Sequence, residues 1–306
     1  MGRFILRRCW QGALVVLGVT LTVFVVTRVF GDPVDLMLPL TASAEQRAAF
    51  AAQIGLDRPI PVQFVGFLGD LATLDFGESL WQRRPAIEVV FERLPNTALL
   101  IAAGLGLAIV LALPLGALAA ARPGGLVDRA ITGLGLLGLS MPQFWVGLLL
   151  IVLFAVTWKV LPTSGMGTPA HLVLPAITLA LAPLARLTLL MRSGMIDELN
   201  AQYVKTARAK GLSARRIFGV HALRNVAIPF LTLAGWELIA ALAGYTVVVE
   251  TVFAWPGLGL TAIQAIQRGD LFLVQAIVFT VAGLIVAINI ALDIAFKAID
   301  PRIALD

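Results

Sequence analysis

Hydrophobic residues along this chain are gathered into six long runs, and a shorter polar segment separates each run from the next. About 20 helical residues are needed to cross the ~30 Å hydrocarbon core of a bilayer, and every run is long enough. The pattern therefore predicts an all-α, polytopic membrane protein with six membrane-spanning helices. The predicted spans cover residues 10–30, 97–121, 131–157, 172–191, 226–249 and 271–296.

Charged residues are scarce and unevenly placed, which bears on both protein class and orientation. They make up 13% of the 306 residues, against about 25% in soluble domains. Arginine and lysine concentrate in the N-terminal segment, at 122–130 and at 192–225, whereas residues 31–96 hold five Arg against nine acids. Basic loops stay in the cytoplasm, so both termini are predicted to be cytoplasmic, with 31–96, 158–171 and 250–270 outside. Basic residues that cluster on one side of the predicted membrane do not indicate nucleic-acid binding.

The long outer segment carries helix signals of its own. Residues Ser43 to Gln46 form a capping-box pattern, and Gly55 is a suitable stop for a helix near 44–54. Pro59 opens a second stretch with an apolar face. This second helix could lie along the membrane surface or pack on the outer ends of the spans.

The polar segment 203–229 is the most informative part of the chain. Between residues 192 and 225 there are seven Lys or Arg against two acids. A charge at the bilayer centre costs roughly 2.5–3.5 kcal/mol, so the segment must leave the membrane. Small residues at 206–209, a glycine at 211 and the run 221–225 predict a short helix, a glycine turn and a second short helix on the membrane surface.

This segment resembles the cytoplasmic "EAA" coupling loop of ATP-binding-cassette (ABC) importer permeases, in particular those for dipeptides, oligopeptides and nickel. Charge alone would favour an ordinary basic loop held to anionic headgroups, but the order of the small residues, the glycine and the run 221–225 favours the coupling loop. Other short sequence motifs that resemble those of the family lie at 31–34, 55–59, 74–77, 92–97, 292–293 and 299–302. The resemblance therefore covers practically the whole chain.

The resemblance implies a type I ABC importer permease fold and a set of partners. Residues 1–93 would be the first span with its outer segment, 94–296 the permease domain and 297–306 a short cytoplasmic tail. The expected partners are a second homologous permease, two ABC ATPase subunits that bind ATP and magnesium, an extracytoplasmic substrate-binding protein and the lipid bilayer. The residues that match the coupling loop are Tyr203, Thr206, Ala207, Arg208, Gly211, Leu212, His221, Leu223, Arg224 and Asn225.

A second set of residues is expected at a gate or along the translocation path. Pro142 should bend the third span, as a static kink or a moving hinge. In the family, the element that joins the last two spans lies at the outer mouth of the path, although a Trp there could instead be an interfacial anchor. The candidates are Pro142, Glu237, Glu250, Trp255, Pro256 and Gly257.

Two ionisable residues inside predicted spans leave alternatives open. Arg186 could extend to the headgroups. Glu237 could pair with Arg186, bind a cationic group of the substrate or become neutral.

Motifs for catalysis and metal binding are missing. The sequence has no GxxxxGK[ST], HExxH or GxSxG, so the chain should be no enzyme and should depend on separate ATPases. One cysteine, and two histidines on opposite predicted faces, exclude a cysteine cluster or a shared histidine metal site. The resemblance implies a translocation path for di- and oligopeptides or related small solutes, with nickel or another metal chelate as the alternative cargo. An ion-coupled secondary transporter would need more intramembrane ionisable residues and internal repeats.

Overall fold

The computed structural model describes residues 2–29, 34, 38, 41–53 and 57–299, and most of them are helical. The all-α prediction is therefore confirmed. Gly55, the first three residues of the motif at 31–34 and the tail from Asp300 onward lie outside the described residues. The helices are α1 (Gly2–Val29), α2 (Ala44–Gln53), α3 (Ile60–Thr73), α4 (Ala86–Ala121), α5 (Leu126–Ser140), α6 (Gln143–Thr157), α7 (Pro169–Asn200), α8 (Gln202–Ala209), α9 (Ala214–Val252), α10 (Leu258–Gln267) and α11 (Leu271–Ile299). A short antiparallel hairpin, β1 (Glu78–Ser79) and β2 (Arg84–Pro85), precedes α4.

Five of the described helices are long and apolar enough to cross a membrane, and the bent pair α5–α6 makes a sixth span if it counts as one. The five are α1, α4, α7, α9 and α11, and each contains one predicted span. The third predicted span is not one kinked helix, because α5 and α6 meet at an angle of 104°. Met141 is extended, with ψ 131°, and Pro142 is the extended residue directly before α6. Proline lacks an N–H and disfavours helical geometry in the residue before it, which explains the break.

Residues 98–255 and 291–306 form one compact unit, in which α7 makes close contacts with α4 and α9. A Cβ added to Gly116 of α4 would lie 2.5 Å from the Met191 Cβ and 2.8 Å from the Thr188 carbonyl oxygen. One added to Gly194 of α7 would lie 2.9 Å from Val226 of α9. Small residues allow helix backbones to approach closely within membranes. The buried core here includes Ala108, Ala112, Leu187, Met191 and Phe230.

Residues 1–97 and 256–290 form the other compact unit. The capping box is confirmed, since Ser43 N–H donates to the Gln46 side chain at 2.9 Å and Gln46 N–H to the Ser43 hydroxyl at 3.2 Å. The helix after Pro59 packs on the first span: Phe64 and Phe67 lie 5.2 and 5.3 Å from the Phe24 ring. Of the two alternatives for this helix, packing on a span is the one observed.

Asp270 connects the hairpin to the start of α11. Its buried carboxylate accepts from the Ser79 hydroxyl at 2.5 Å, the Trp81 N–H at 3.2 Å and the Leu273 N–H at 3.2 Å. The Arg268 guanidinium lies 4.3 Å from the centre of the Trp81 ring. The bonds from Ser79 and Trp81 to Asp270 join positions 191 and 189 residues apart, and no local pattern predicted them.

The contact at Gly116 can be tested with two alanine substitutions in the same helix. Gly116→Ala should lower the stability of the detergent-solubilised protein by about 1–3 kcal/mol, because the added methyl group meets a backbone carbonyl that cannot rotate away. Gly106→Ala is the matched control, since no atom lies within 4 Å of its added Cβ. Alanine is favoured over glycine in helices, so the control should be neutral or slightly stabilised. Equal thermal midpoints for the two variants would contradict the proposed close contact.

Candidate functional site

The polar segment begins with α8, which follows directly on the end of α7. Ala201 between them is extended, with ψ 153°, and this turns the chain sharply. Val204 is fully buried, whereas Tyr203, Thr206 and Arg208 are exposed. A single buried apolar side chain therefore holds a short helix whose other faces are polar and accessible.

The glycine turn predicted at Gly211 is present and has the expected geometry. Gly211 has a φ of +77°, a value that glycine adopts at little cost. Its N–H donates to the Arg208 carbonyl at 2.9 Å, and the Leu212 N–H donates to the Ala207 carbonyl at 3.1 Å. These two bonds are those of a Schellman motif, which satisfies the last carbonyls of a helix.

The second short helix that the sequence predicted is not a separate element. Ala214 begins α9, which continues to Val252 and includes a π-helical turn at Ile217–Ala222. Residues 221–225 therefore lie in the first turns of a membrane-spanning helix. Ile217 and Ala222 are buried there, and Arg224 and Asn225 are exposed. The hydropathy pattern marks only the apolar part of this helix, residues 226–249. Its first turns are charged and partly π-helical, so hydropathy did not show that the helix begins at Ala214.

Three side chains connect α7, α8 and α9; we call them the coupling triad, Glu198, Tyr203 and Asn225. One Glu198 carboxylate oxygen accepts from the Tyr203 hydroxyl at 2.5 Å and from the Asn225 amide at 2.8 Å. The Asn225 amide also lies 3.2 Å from the Tyr203 oxygen. Partial burial and the neighbouring carboxylate raise the pKa of the Tyr203 phenol to about 12. Tyr203 and Asn225 were expected in the site; Glu198 was missed, although it is one of two acids in a basic segment.

A bidentate ion pair between the first turn of α5 and the C-terminal part of α7 was also not predicted from the sequence. The Arg192 guanidinium donates from Nε and Nη2 to both oxygens of the buried Asp128. Asp128 also accepts from the Gly124 N–H at 2.8 Å. The one available signal was that Asp128 is the single acid in the turn 122–130.

The gate candidates at residues 250–257, here called the gate turn, are mostly buried. Trp255 is 1% exposed and Glu250 is fully buried. The Trp255 N–H donates to the Glu250 carbonyl at 2.8 Å, and Ala254 has a φ of +46°. A side chain so enclosed by protein offers almost no surface to lipid headgroups.

Residues of α4 and α6 lie against the gate turn and its flanking residue. The Asn96 amide donates to the Pro256 carbonyl at 2.8 Å, and the Leu258 N–H donates to the Thr97 hydroxyl at 2.8 Å. On the other side, a Cβ on Gly147 would lie 3.2 Å from both Phe253 and Val252. The break at Pro142 thus lies five residues before Gly147, the point at which α6 contacts the first part of the gate turn.

Arg186 and Glu237 form a bidentate ion pair between α7 and α9. The Arg186 Nε donates at 2.5 Å and its Nη2 at 2.8 Å to the two carboxylate oxygens. Of the alternatives left open by the sequence, extension of Arg186 to the headgroups is wrong and pairing is observed. His171, by contrast, is structural, since its Nδ1 accepts from the Thr168 N–H at the start of α7. No group of metal-binding side chains occurs among the described residues.

Sequence comparisons match the chain along its length. A family profile described as "Binding-protein-dependent transport system inner membrane component" matches residues 112–305, and a profile for the N-terminal part of such components matches residues 1–101. The oligopeptide transport system permease protein AppB of Bacillus subtilis is 38% identical, with 99% of each chain covered. The dipeptide transport system permease protein DppB of Escherichia coli K12 is 35% identical over 99% of each chain.

Another relative and a solved structure agree with these matches. The di/tripeptide transport system permease protein DppB of Pseudomonas aeruginosa is 37% identical over 98% of each chain. An inward-facing structure of the MetNI methionine ABC transporter matches with a TM-score of 0.54 and 20% identity, over 69% of this chain and 96% of that chain. At that identity the structural match concerns the fold.

Proposed function

Since this chain belongs to the family of binding-protein-dependent transport system inner membrane components, and is the permease subunit of an ABC importer rather than an enzyme, we propose that it conducts di- and oligopeptides. The type I importer permease fold expected from the sequence is confirmed. Three full-length relatives, 35–38% identical, are named as permeases for oligopeptides, dipeptides or di- and tripeptides. Those names support peptides as the cargo.

The coupling triad is the observation that carries the mechanism. It joins α8 to the end of one span, α7, and to the first turns of another, α9, through one carboxylate. The exposed faces of α8 and the following turn carry Lys205, Arg208 and Lys210. A partner that pushes on α8 would therefore move two spans together. We assign residues 203–225 as the surface that docks on an ATPase subunit.

The complete importer would contain this chain, a second homologous permease, two ATPase subunits with ATP and magnesium, and an extracytoplasmic binding protein. Both termini and α8 would face the cytoplasm, with residues 31–96 outside. Residues 1–93 would be an N-terminal module, 94–296 the permease domain and 297–306 a cytoplasmic tail. The gate turn would lie at the outer mouth of the path.

Coupling is tested by Gly211→Val. The positive φ of Gly211 is strained for a branched residue, so α8 should lose its orientation while the protein still inserts. We expect substrate-stimulated ATP hydrolysis to persist at a reduced level and uptake per ATP to fall at least about fivefold in proteoliposomes. Ala207→Asp should behave similarly. Tyr203→Phe removes both hydrogen bonds of the Tyr203 hydroxyl but leaves the bond between Asn225 and Glu198, so it should give a smaller loss.

The control for this test is Gly133→Val. Gly133 of α5 lies outside residues 203–225, no atom lies within 4 Å of its added Cβ, and its φ is not positive. It should retain wild-type coupling. Normal uptake per ATP in Gly211→Val and Ala207→Asp would refute the assignment of 203–225 as the coupling surface.

Orientation is tested with single cysteines in a Cys9→Ser background. Leu80 and Ser213 are both exposed, whereas Ser79 is buried against Asp270 and would not serve as a probe. Leu80→Cys should react with an impermeant maleimide in intact cells, and Ser213→Cys only after lysis. The reverse labelling pattern would place α8 on the wrong side for an ATPase.

The gate assignment is tested at Asn96 rather than at Trp255, because truncation of a buried Trp costs about 3–5 kcal/mol in stability alone. Asn96→Ala removes the bond to the Pro256 carbonyl and should loosen the gate turn. We expect ATP hydrolysis without the binding protein to rise about two- to threefold. Asn289→Ala is the control, since Asn289 is exposed and bonds to a carbonyl of its own helix. Strict dependence on the binding protein in Asn96→Ala would count against a gate.

A further inference from the structure

The ion pair of Arg186 and Glu237 takes no part in the coupling triad or the gate turn. Arg186 lies near the middle of α7, and Glu237 lies near the middle of α9. Charged side chains at membrane depth face protein or a water-filled cavity rather than lipid, and they commonly mark the route of a transported solute. The pair is therefore a candidate for contact with the cargo.

The two partners differ in what they can still bind. Both carboxylate oxygens of Glu237 accept hydrogen bonds from Arg186, and its side chain is 5% exposed. The Arg186 side chain is 33% exposed. It uses two of the five N–H donors of a guanidinium for Glu237. The accessible edge of the pair is therefore cationic, which disfavours binding of a cationic substrate group by Glu237.

Irregular helix geometry surrounds the exposed guanidinium. A π-helical turn, Ala241–Tyr245, begins one turn after Glu237, and such turns are frequent at functional sites. The Tyr245 ring centre lies 5.7 Å from the Arg186 Cζ. In α7, Pro183 lies three residues before Arg186 and cannot donate a backbone hydrogen bond. The arginine is thus held by a carboxylate and covered by an aromatic ring where both helices depart from regular geometry.

We propose that Arg186 is a binding site for a carboxylate group of the transported solute. Glu237 positions the guanidinium, and Tyr245 lies against it. The inference rests on the proposed peptide cargo, since every unmodified peptide ends in a carboxylate. The planar guanidinium matches a carboxylate in charge and shape. Because Glu237 already neutralises Arg186, the bound peptide would be held weakly enough to be released, as transport requires.

The test compares a dipeptide with its own amide. Import of dialanine or of dialanine C-terminal amide is measured with the complete complex in proteoliposomes. Each probe is supplied with the binding protein at a concentration beyond which ATP hydrolysis no longer rises. The variant is R186Q/E237Q, because removal of the arginine alone would leave a buried, unpaired carboxylate. We expect import of dialanine per ATP to fall at least about tenfold, the loss typical of a hydrogen bond to a charged group. Import of the amide should change less than about twofold.

The control removes a similar ion pair from the same helix. R192Q/D128N neutralises the pair between α5 and α7 and should affect both probes by the same factor. An equal loss of both probes in R186Q/E237Q, or no loss of either, would overturn the carboxylate site while leaving peptide transport intact. Failure of the wild-type complex to import either probe would instead refute the peptide cargo, and the carboxylate site with it.

Discussion

The exclusion of unpaired charge from hydrocarbon is the constraint on which the rest of this structure depends. A charge inside the bilayer must find a partner, whereas charges in a polar segment can remain in water. Two arginines of α7, Arg186 and Arg192, form bidentate ion pairs with Glu237 of α9 and Asp128 of α5. Each pair neutralises a buried carboxylate and also connects α7 to a different neighbouring helix.

The same helix carries the contact to the polar segment. Glu198, two residues before the end of α7, binds Tyr203 of α8 and Asn225 of α9. Between these polar contacts, Gly194 lies against Val226 and Gly116 of α4 lies against Met191. Dense packing transmits displacement rather than absorbing it. α7 is therefore the element through which movement of α8 would reach the membrane-spanning helices.

Several helices of this permease are interrupted near the sites proposed for coupling, gating and cargo contact. Pro142 separates two helices by 104° close to the gate turn, and π turns lie near both the coupling triad and the Arg186–Glu237 pair. Each interruption changes the direction or phase of the side chains that follow. The candidate sites for coupling, gating and cargo contact thus lie where regular helix geometry ends.

The sequence by itself determined the features that depend on neighbouring residues. The apolar runs located the spans because transfer of a helix into lipid is a sum over its own side chains. The capping box at Ser43–Gln46 and the turn at Gly211 were predictable because both depend on a few consecutive residues. Only the tertiary structure decided the sharp break at Pro142, the continuity of α9 from Ala214, the burial of Trp255 and the choice of Arg186 as the partner of Glu237. Those outcomes depend on which helices pack together, and residues far apart in the chain, such as 186 and 237, meet only after that packing is complete.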